Sequence, residues 1–226
     1  MTLKFKKPEA VIFDVDGTLF KTETLIVPVY HQTFDKLREE GLHEGPTPPE
    51  SRILESLGKL LHEIWANVLP DADMKTRERA DELLLQYEIE GLKKGIGELY
   101  PHAKETLMEL KERGIRLFVA SNGLELYVKE VLRAFDIYDW FEGVYSAGEY
   151  QTSTKAELVR LLKNHHQVNE AWMVGDRSSD VEAGKANGFD VIGCNYAQFG
   201  QAEELEGADA VIQSFPELIE LLDSNS

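Results

Sequence analysis

The sequence predicts an α/β protein in which a doubly wound parallel sheet carries an inserted all-helical segment. Two observations predict the sheet: short apolar runs recur along the chain, and an amphipathic helical pattern lies between most of them. A third observation predicts the insertion, because only helical periodicity is present between residues 21 and 94. Strands that alternate with helices favour parallel pairing, since each helix returns the chain to the same end of the sheet.

Five apolar runs are the predicted strands. The first run, residues 10–14, is apolar until its last residue, which is typical of a strand buried on both faces of a parallel sheet. The predicted strands are residues 10–14, 115–120, 171–174, 191–194 and 208–212. The predicted helices of this part are residues 102–113, 124–135, 155–165, 179–187 and 216–222.

The insertion contains three predicted helices, at residues 29–40, 49–61 and 76–93. The third has the clearest apolar face, which consists of Ala80, Leu83, Leu84, Tyr87 and Leu92. A segment of roughly 70 residues is at the small end of domain size. We therefore expect a helical cap domain, residues 21–94, and an α/β core formed by residues 1–20 and 95–226.

The composition excludes several classes of protein. The chain has 226 residues, with 24 Lys+Arg against 41 Asp+Glu and a net charge of −17. This acid excess argues against binding to nucleic acid or to an anionic membrane, because both depend on basic side chains. The single cysteine, Cys194, excludes an internal disulfide and a cysteine-based zinc site. No apolar run has the length of a signal peptide or a membrane span, so we expect a cytoplasmic protein.

Two carboxylates follow the first predicted strand. Asp14 and Asp16 come directly after the apolar run, and Gly17 and Thr18 follow them. Ligands of open α/β sheets bind at the carboxyl ends of the strands, and Gly17 permits the turn that brings both acids to one side. Two close acids repel each other unless a cation or a shared proton intervenes. The pattern favours a pair of acids with a divalent metal or with a raised pKa over a simple Asp-Gly turn.

A second acidic pair follows the predicted strand 171–174. Asp176 and Asp180 are four residues apart, so they share a face if the next helix begins early. Carboxylate oxygens are the ligands that Mg²⁺ prefers. Capping of the following helix is an equally good interpretation of this segment taken alone.

Two further segments supply groups suited to phosphate. Ser121, Asn122 and Gly123 follow a strand and precede a helix, where a hydroxyl and free N–H groups bind anions. Lys155 lies near the start of a predicted helix, a position that is unfavourable for a cation. Taken alone, a helix cap and a solvated surface lysine are the simpler interpretations. Together with the two acidic pairs, they give four strand ends with a metal or phosphate ligand in one sheet.

These segments resemble the four motifs of the haloacid dehalogenase-like (HAD) superfamily. They occur in the family order: Asp-x-Asp-Gly-Thr at Asp14–Thr18, Ser-Asn-Gly at Ser121, a lone Lys155, and Gly-Asp-x-x-x-Asp at Gly175–Asp180. Ala156 departs from the Lys-Pro pair that is frequent in the family. The helical insertion resembles a C1-type cap. The layout is similar to the phosphoglycolate phosphatase-like and β-phosphoglucomutase-like branch, which implies a Rossmann-like core.

The resemblance implies a role for each acid. Asp14 is the nucleophile that forms an aspartyl-phosphate, and Asp16 is the acid and base that serves the leaving group and then the water. The resemblance also implies that Mg²⁺ is held by the Asp14 carboxylate, the Asp16 backbone carbonyl and the Asp176 carboxylate, with Asp180 in support. The residues expected to bind the phosphate are Gly17, Thr18, Ser121, Asn122 and Lys155, of which Ser121 and Lys155 also count as catalytic.

We therefore expect an Mg²⁺-dependent phosphatase that acts on a small phosphorylated metabolite. A sugar phosphomutase of the β-phosphoglucomutase type and a non-catalytic, metal-binding regulatory module remain alternatives, whereas Asp16 argues against a dehalogenase. The sequence identifies neither the substrate nor the oligomeric state. The cap residues that are candidates for selectivity are Tyr30, His31, Phe34, Arg52, Lys59, His62 and Trp65.

Overall fold

A computed structural model describes residues 7–59, 61–197 and 202–224, and it contains a six-stranded parallel sheet. The strands are β1 (Ala10–Phe13), β2 (Arg116–Ser121), β3 (Gly143–Ser146), β4 (Ala171–Gly175), β5 (Asp190–Cys194) and β6 (Ala210–Ile212). Their spatial order is β3-β2-β1-β4-β5-β6. β1 is thus central, and Val11 pairs with Leu117 on one side and with Trp172 on the other. This order is that of a doubly wound sheet, so the predicted fold class is confirmed.

Helices cover both faces of the sheet. The helices that follow β1 are α1 (Glu23–Glu39), α2 (Glu50–Leu54), α3 (Leu61–Val68), α4 (Met74–Lys93) and α5 (Ala103–Glu112). The later helices are α6 (Glu125–Ala134), α7 (Ala147–Tyr150), α8 (Lys155–His166), α9 (Ser178–Asn187) and α10 (Glu217–Asp223). Successive side chains of β1 enter two different hydrophobic clusters: Val11 and Phe13 join one, and Ala10 and Ile12 join the other. Both faces of β1 are therefore buried against apolar side chains, which explains why every residue of this strand is apolar.

The helices α1–α4 lie between β1 and β2 in the chain. α1 packs on α4, and α4 also contacts α6. A backbone bridge joins Phe20 to Leu99 where the chain leaves and re-enters the part that carries the sheet. The division into a cap at 21–94 and a core stays a prediction. In the described part of the chain, no helix has the length and apolar character needed to cross a membrane.

Several elements differ from the sequence prediction, and α3 (Leu61–Val68) and α7 (Ala147–Tyr150) are among those that were not predicted. β3 was not predicted, because its four residues at the sheet edge are defined by pairing with β2 rather than by a local apolar run. The helix predicted at 49–61 is only α2, which ends at Leu54, because Gly58 adopts a φ of +79° in the turn that follows and α3 begins at Leu61. α1 begins at Glu23, six residues before the predicted start at 29, and it accommodates Pro28 in its interior.

Candidate functional site

The site lies at the carboxyl ends of the three central strands β1, β2 and β4. Asp14 follows β1, Ser121 ends β2, and Asp176 follows β4, and each of the three is almost fully buried. Lys155 is the first residue of α8, and it is buried as well. Ligands of doubly wound sheets bind at this edge, close to the place where the strand order reverses.

Lys155 connects two of the acids. Its Nζ lies 2.9 Å from Oδ1 of Asp14 and 2.6 Å from Oδ1 of Asp180. Burial alone would lower the pKa of Lys155, but the carboxylates of Asp14 and Asp180 raise it above its ordinary value. The lysine is therefore a fixed positive charge inside the site, and its interpretation as a solvated surface residue is wrong.

Three carboxylates form a compact cluster around this lysine. Asp14, Asp176 and Asp180 each offer an oxygen, and these oxygens lie within 4.8 Å of one another. Within the described residues, Oδ2 of Asp14 and Oδ2 of Asp176 have no hydrogen-bond partner. Burial raises the pKa of Asp176 well above its ordinary value, and the charges of Asp14 and Asp180 add to this. Nε of Arg177 lies 3.6 Å from Oδ2 of Asp176, so Lys155 and Arg177 together leave one of the three buried acids without a cation. Oxygens without a hydrogen bond suit a hard divalent cation. The cluster could therefore bind a divalent metal.

The turn after β1 holds Asp176 in place. Thr18 Oγ1 donates a hydrogen bond of 3.3 Å to Oδ1 of Asp176. Gly17 has a φ of +77°, and a Cβ on it would lie 2.4 Å from Oδ2 of Asp176. Only glycine allows this close approach. The Asp-x-Asp-Gly-Thr turn after β1 and the Gly-Asp segment after β4 are thus in direct contact.

Asp180 caps the start of α9 and also belongs to the carboxylate cluster. Its Oδ2 accepts a 3.0 Å hydrogen bond from the backbone N–H of Arg177, which caps the start of α9. Its Oδ1 binds Lys155. Burial raises the pKa of Asp180 to about 6, although Lys155 opposes the shift. The capping and ligand interpretations of this residue are therefore compatible.

The carboxylate of Asp16 has two hydroxyl donors of its own. Thr22 Oγ1 and Tyr127 Oη each donate a 2.6 Å hydrogen bond to Oδ1 of Asp16. Burial and then the charge of Asp14 raise the pKa of Asp16 to about 6, although both donors oppose the shift. Neither donor stands out in the sequence: Thr22 lies at the start of the predicted cap, and Tyr127 lies in a predicted helix, where an aromatic residue is typical of the core. An acid with a pKa near neutrality is suited to proton transfer.

Ser121 and Asn122 also lie at this edge. Ser121 is buried, and its Oγ accepts a 3.1 Å hydrogen bond from the backbone N–H of Gly123. Asn122 uses its amide to donate a 2.9 Å hydrogen bond to the carbonyl of Gly58 in the turn after α2. Asn122 thus contacts the helical insertion. The phosphate-binding roles of both residues stay predictions.

The candidate selectivity residues of the insertion have different surroundings. Tyr30 and Phe34 are fully buried and pack edge to face, with ring centroids 4.9 Å apart. His31 is exposed and lies 2.6 Å from Glu50, and Arg52 is also exposed. Lys59 lines a cavity between α4 and the site. Trp65 donates a hydrogen bond to Asp81, which lines the same cavity. This cavity is described below. The side chain of His62 lies outside the described residues.

Comparisons with known proteins show the family to which the chain belongs. Residues 11–194 match the family model of the haloacid dehalogenase-like hydrolases. The chain belongs to this family. Phosphoglycolate phosphatase from Pectobacterium atrosepticum is 28% identical to it, with 95% of this chain and 92% of the relative covered. Tyrosine-protein kinase PtkA from Mycobacterium bovis is 27% identical, with 92% and 68% covered.

Solved structures of this family are similar to the chain along most of its length. CbbY from Rhodobacter sphaeroides, in complex with phosphate, has a TM-score of 0.80 and 26% identity, with 96% of this chain and 99% of that one covered. A haloacid dehalogenase-like hydrolase from Streptococcus pneumoniae has a TM-score of 0.78 and 20% identity, with 93% and 96% covered, and this likeness bears on the fold alone. These matches confirm two predictions: that the chain is a member of the haloacid dehalogenase-like family, and that it is a phosphatase.

Proposed function

We propose that the protein is an Mg²⁺-dependent phosphatase that hydrolyses a small phosphate monoester through an aspartyl-phosphate on Asp14. The observation that carries this proposal is the buried cluster of Asp14, Asp176 and Asp180 around Lys155 at the carboxyl ends of the central strands. An anionic nucleophile attacks an anionic phosphate only where positive charge is fixed beside both. Phosphatase relatives, and a phosphate complex of a similar structure, support the same chemistry.

The metal site would be formed by the carboxylates of Asp14 and Asp176 and the backbone carbonyl of Asp16, with Asp180 holding Lys155. When bound, Mg²⁺ supplies positive charge that neutralises the acids and the transferring phosphoryl group. Asp14 attacks phosphorus with a carboxylate oxygen, and Lys155, 2.9 Å from Asp14, stays beside the phosphoryl oxygens. Thr18, Ser121, Asn122 and the turn at Gly17 complete the proposed phosphate site.

Asp16 would move the proton. The raised pKa of this acid, about 6, leaves a useful fraction protonated near neutral pH, so it can donate to the leaving-group oxygen. The resulting carboxylate then takes a proton from the water that hydrolyses the aspartyl-phosphate. Thr22 and Tyr127 fix the orientation of the Asp16 carboxylate through both steps.

The insertion would act as a cap over this site. The contact of Asn122 with Gly58 joins a residue after β2 to the turn after α2, so a movement of the insertion changes the access of water. We also keep as proposals a small phosphorylated metabolite as the partner, without nucleic acid or membrane, and a location in the cytoplasm.

A chromogenic phosphate ester tests the proposed function. We expect turnover of p-nitrophenyl phosphate in the presence of Mg²⁺, a loss on addition of EDTA, and recovery when excess Mg²⁺ is restored. Turnover that persists without any divalent cation would contradict the proposal. Release of free phosphate from sugar monophosphates, without isomerisation of the sugar, would separate a phosphatase from a mutase.

The effect of Mg²⁺ on stability is expected to increase with pH. In the metal-free protein the pKa values of Asp16 and Asp180 are about 6, against an ordinary value of 3.8. Folded pKa values that are raised add to the free energy of unfolding below the ordinary pKa, and this contribution is lost as the pH rises through 6. A bound cation favours the ionised acids, so Mg²⁺ offsets the loss.

Thermal unfolding with and without Mg²⁺ measures this effect. At saturation we expect Mg²⁺ to raise Tm by about 5–10 °C at neutral pH, and by clearly less at pH 5. Asp176→Asn should reduce the shift, because it removes one proposed ligand. Equal shifts at both pH values in the unaltered protein would argue against a cation site beside Asp16 and Asp180.

A further inference from the structure

A small cavity lies between the helical insertion and the site. Its volume is about 60 Å³, and it reaches Asp16 and Tyr127 at one end. Most of its wall is apolar, and the apolar residues include Ile26, Ile53, Leu57, Ile64, Leu84 and Leu124. Since Asp16 is the proposed proton donor to the leaving group, the alcohol portion of the substrate would lie in this cavity.

Glu88 of α4 is an ionisable residue in the wall of this cavity. Only 8% of the residue is exposed, and within the described residues its carboxylate makes no hydrogen bond and no ion pair. A buried acid without a partner is costly to the folded protein. Burial raises the pKa of Glu88 well above its ordinary value, and Asp16 and Asp81 add to this. Such a group is retained most readily if a ligand supplies the missing partner.

The charges around the cavity determine the ligand. Three acids line it: Asp16, Asp81 and Glu88. Asp81 already accepts a 3.0 Å hydrogen bond from Trp65 Nε1. Among the described residues, the only cation in the lining is Lys59, and it is exposed. A carboxylate on the substrate would meet these acids, whereas an ammonium group would be attracted to them.

We propose that Glu88 binds an ammonium group on the alcohol portion of the substrate, so that the substrate class is short amino-alcohol phosphate monoesters. This inference rests on the proposed phosphatase function. The volume of about 60 Å³ supports a short chain, because each ordered water needs about 10–15 Å³ of such space, and the cavity therefore holds about four to six waters. Glu88 is thus a specificity-determining residue, and the apolar wall contacts the carbon chain.

Four esters test this inference: 2-aminoethyl phosphate, ethyl phosphate, phosphoglycolate and p-nitrophenyl phosphate. We expect kcat/KM for 2-aminoethyl phosphate to exceed that for ethyl phosphate by about 10-fold or more. A hydrogen bond between charged groups strengthens binding by about this factor. Phosphoglycolate should be poorer than ethyl phosphate. Glu88→Gln, which keeps the shape of the side chain, should remove the preference for the ammonium group and leave ethyl phosphate within about 2-fold. Glu82→Gln, at an exposed position of the same helix, is the matched control and should change neither.

The outcomes separate the two proposals. If p-nitrophenyl phosphate and ethyl phosphate are hydrolysed but 2-aminoethyl phosphate has no advantage, the inference about Glu88 is wrong and the phosphatase function stands. If no ester is hydrolysed, both fail. Inhibition by ethanolamine but not by ethanol in the unaltered protein would support the inference without a variant, and equal inhibition would overturn it.

Discussion

Asp14→Asn is expected to lower kcat by about 10⁴-fold or more. An amide oxygen is a much weaker nucleophile than a carboxylate, and loss of the attacking group removes the step on which the others depend. The variant should still fold, because Lys155 keeps its 2.6 Å contact with Asp180 and the cluster loses one of its repelling charges. The measurement is turnover of a chromogenic ester, together with Tm.

Asp35→Asn is the matched control for this variant. Asp35 is exposed on α1, where it pairs with Arg38 at 2.5 Å, far in the chain from the cluster. We expect its activity to equal that of the unaltered protein. Comparable activity of Asp14→Asn and Asp35→Asn would contradict the role of Asp14 as nucleophile.

Lys155→Met is expected to lower both stability and activity. Methionine has a similar length but leaves Asp14 and Asp180 buried without their shared cation. Removing one partner of a buried ion pair costs about 3–5 kcal/mol in the free energy of unfolding. Loss of a fixed charge beside the phosphoryl group should lower kcat by about 10²–10³-fold. Urea unfolding and steady-state kinetics measure the two effects.

Lys163→Met on the same helix provides the comparison. Lys163 Nζ donates a 2.7 Å hydrogen bond to the backbone carbonyl of Asn187, so its loss should cost about 1 kcal/mol and leave kcat unchanged. If Lys155→Met were no less stable than Lys163→Met, the buried lysine would not be the neutralising charge of the cluster.

The positions of the site residues were predictable because parallel strands end at one edge. Asp14, Ser121 and Asp176 each follow an apolar run, so a parallel sheet brings them together whatever the details of packing. The sequence did not predict that Lys155 lies between Asp14 and Asp180, because that contact depends on how α8 and α9 pack. The edge strand β3 was missed for the same reason, since its pairing with β2 is not a local property.

The residues around the proposed leaving group were less predictable. Thr22 has an ordinary local explanation as a residue at the start of the predicted cap, and Tyr127 has one as a core residue. The position of Glu88 could have been noticed in the sequence, because it lies four residues from both Leu84 and Leu92 on the apolar face of α4. A charged residue within an apolar face is unusual, and here it marks the cavity rather than the helical core. The cavity itself could not be predicted from the sequence, because it depends on how the helices of the insertion pack against the residues after β2.

The central claim is that Asp14 carries the phosphoryl group during turnover. Rapid acid quenching during hydrolysis of a phosphate ester, reduction of the acyl phosphate with borohydride, and mass spectrometry locate that group. We expect reduced Asp14 in the quenched protein only when Mg²⁺ and substrate are both present, and none in Asp14→Asn. Steady turnover without modification of Asp14, or with the phosphoryl group on another residue, would contradict the account.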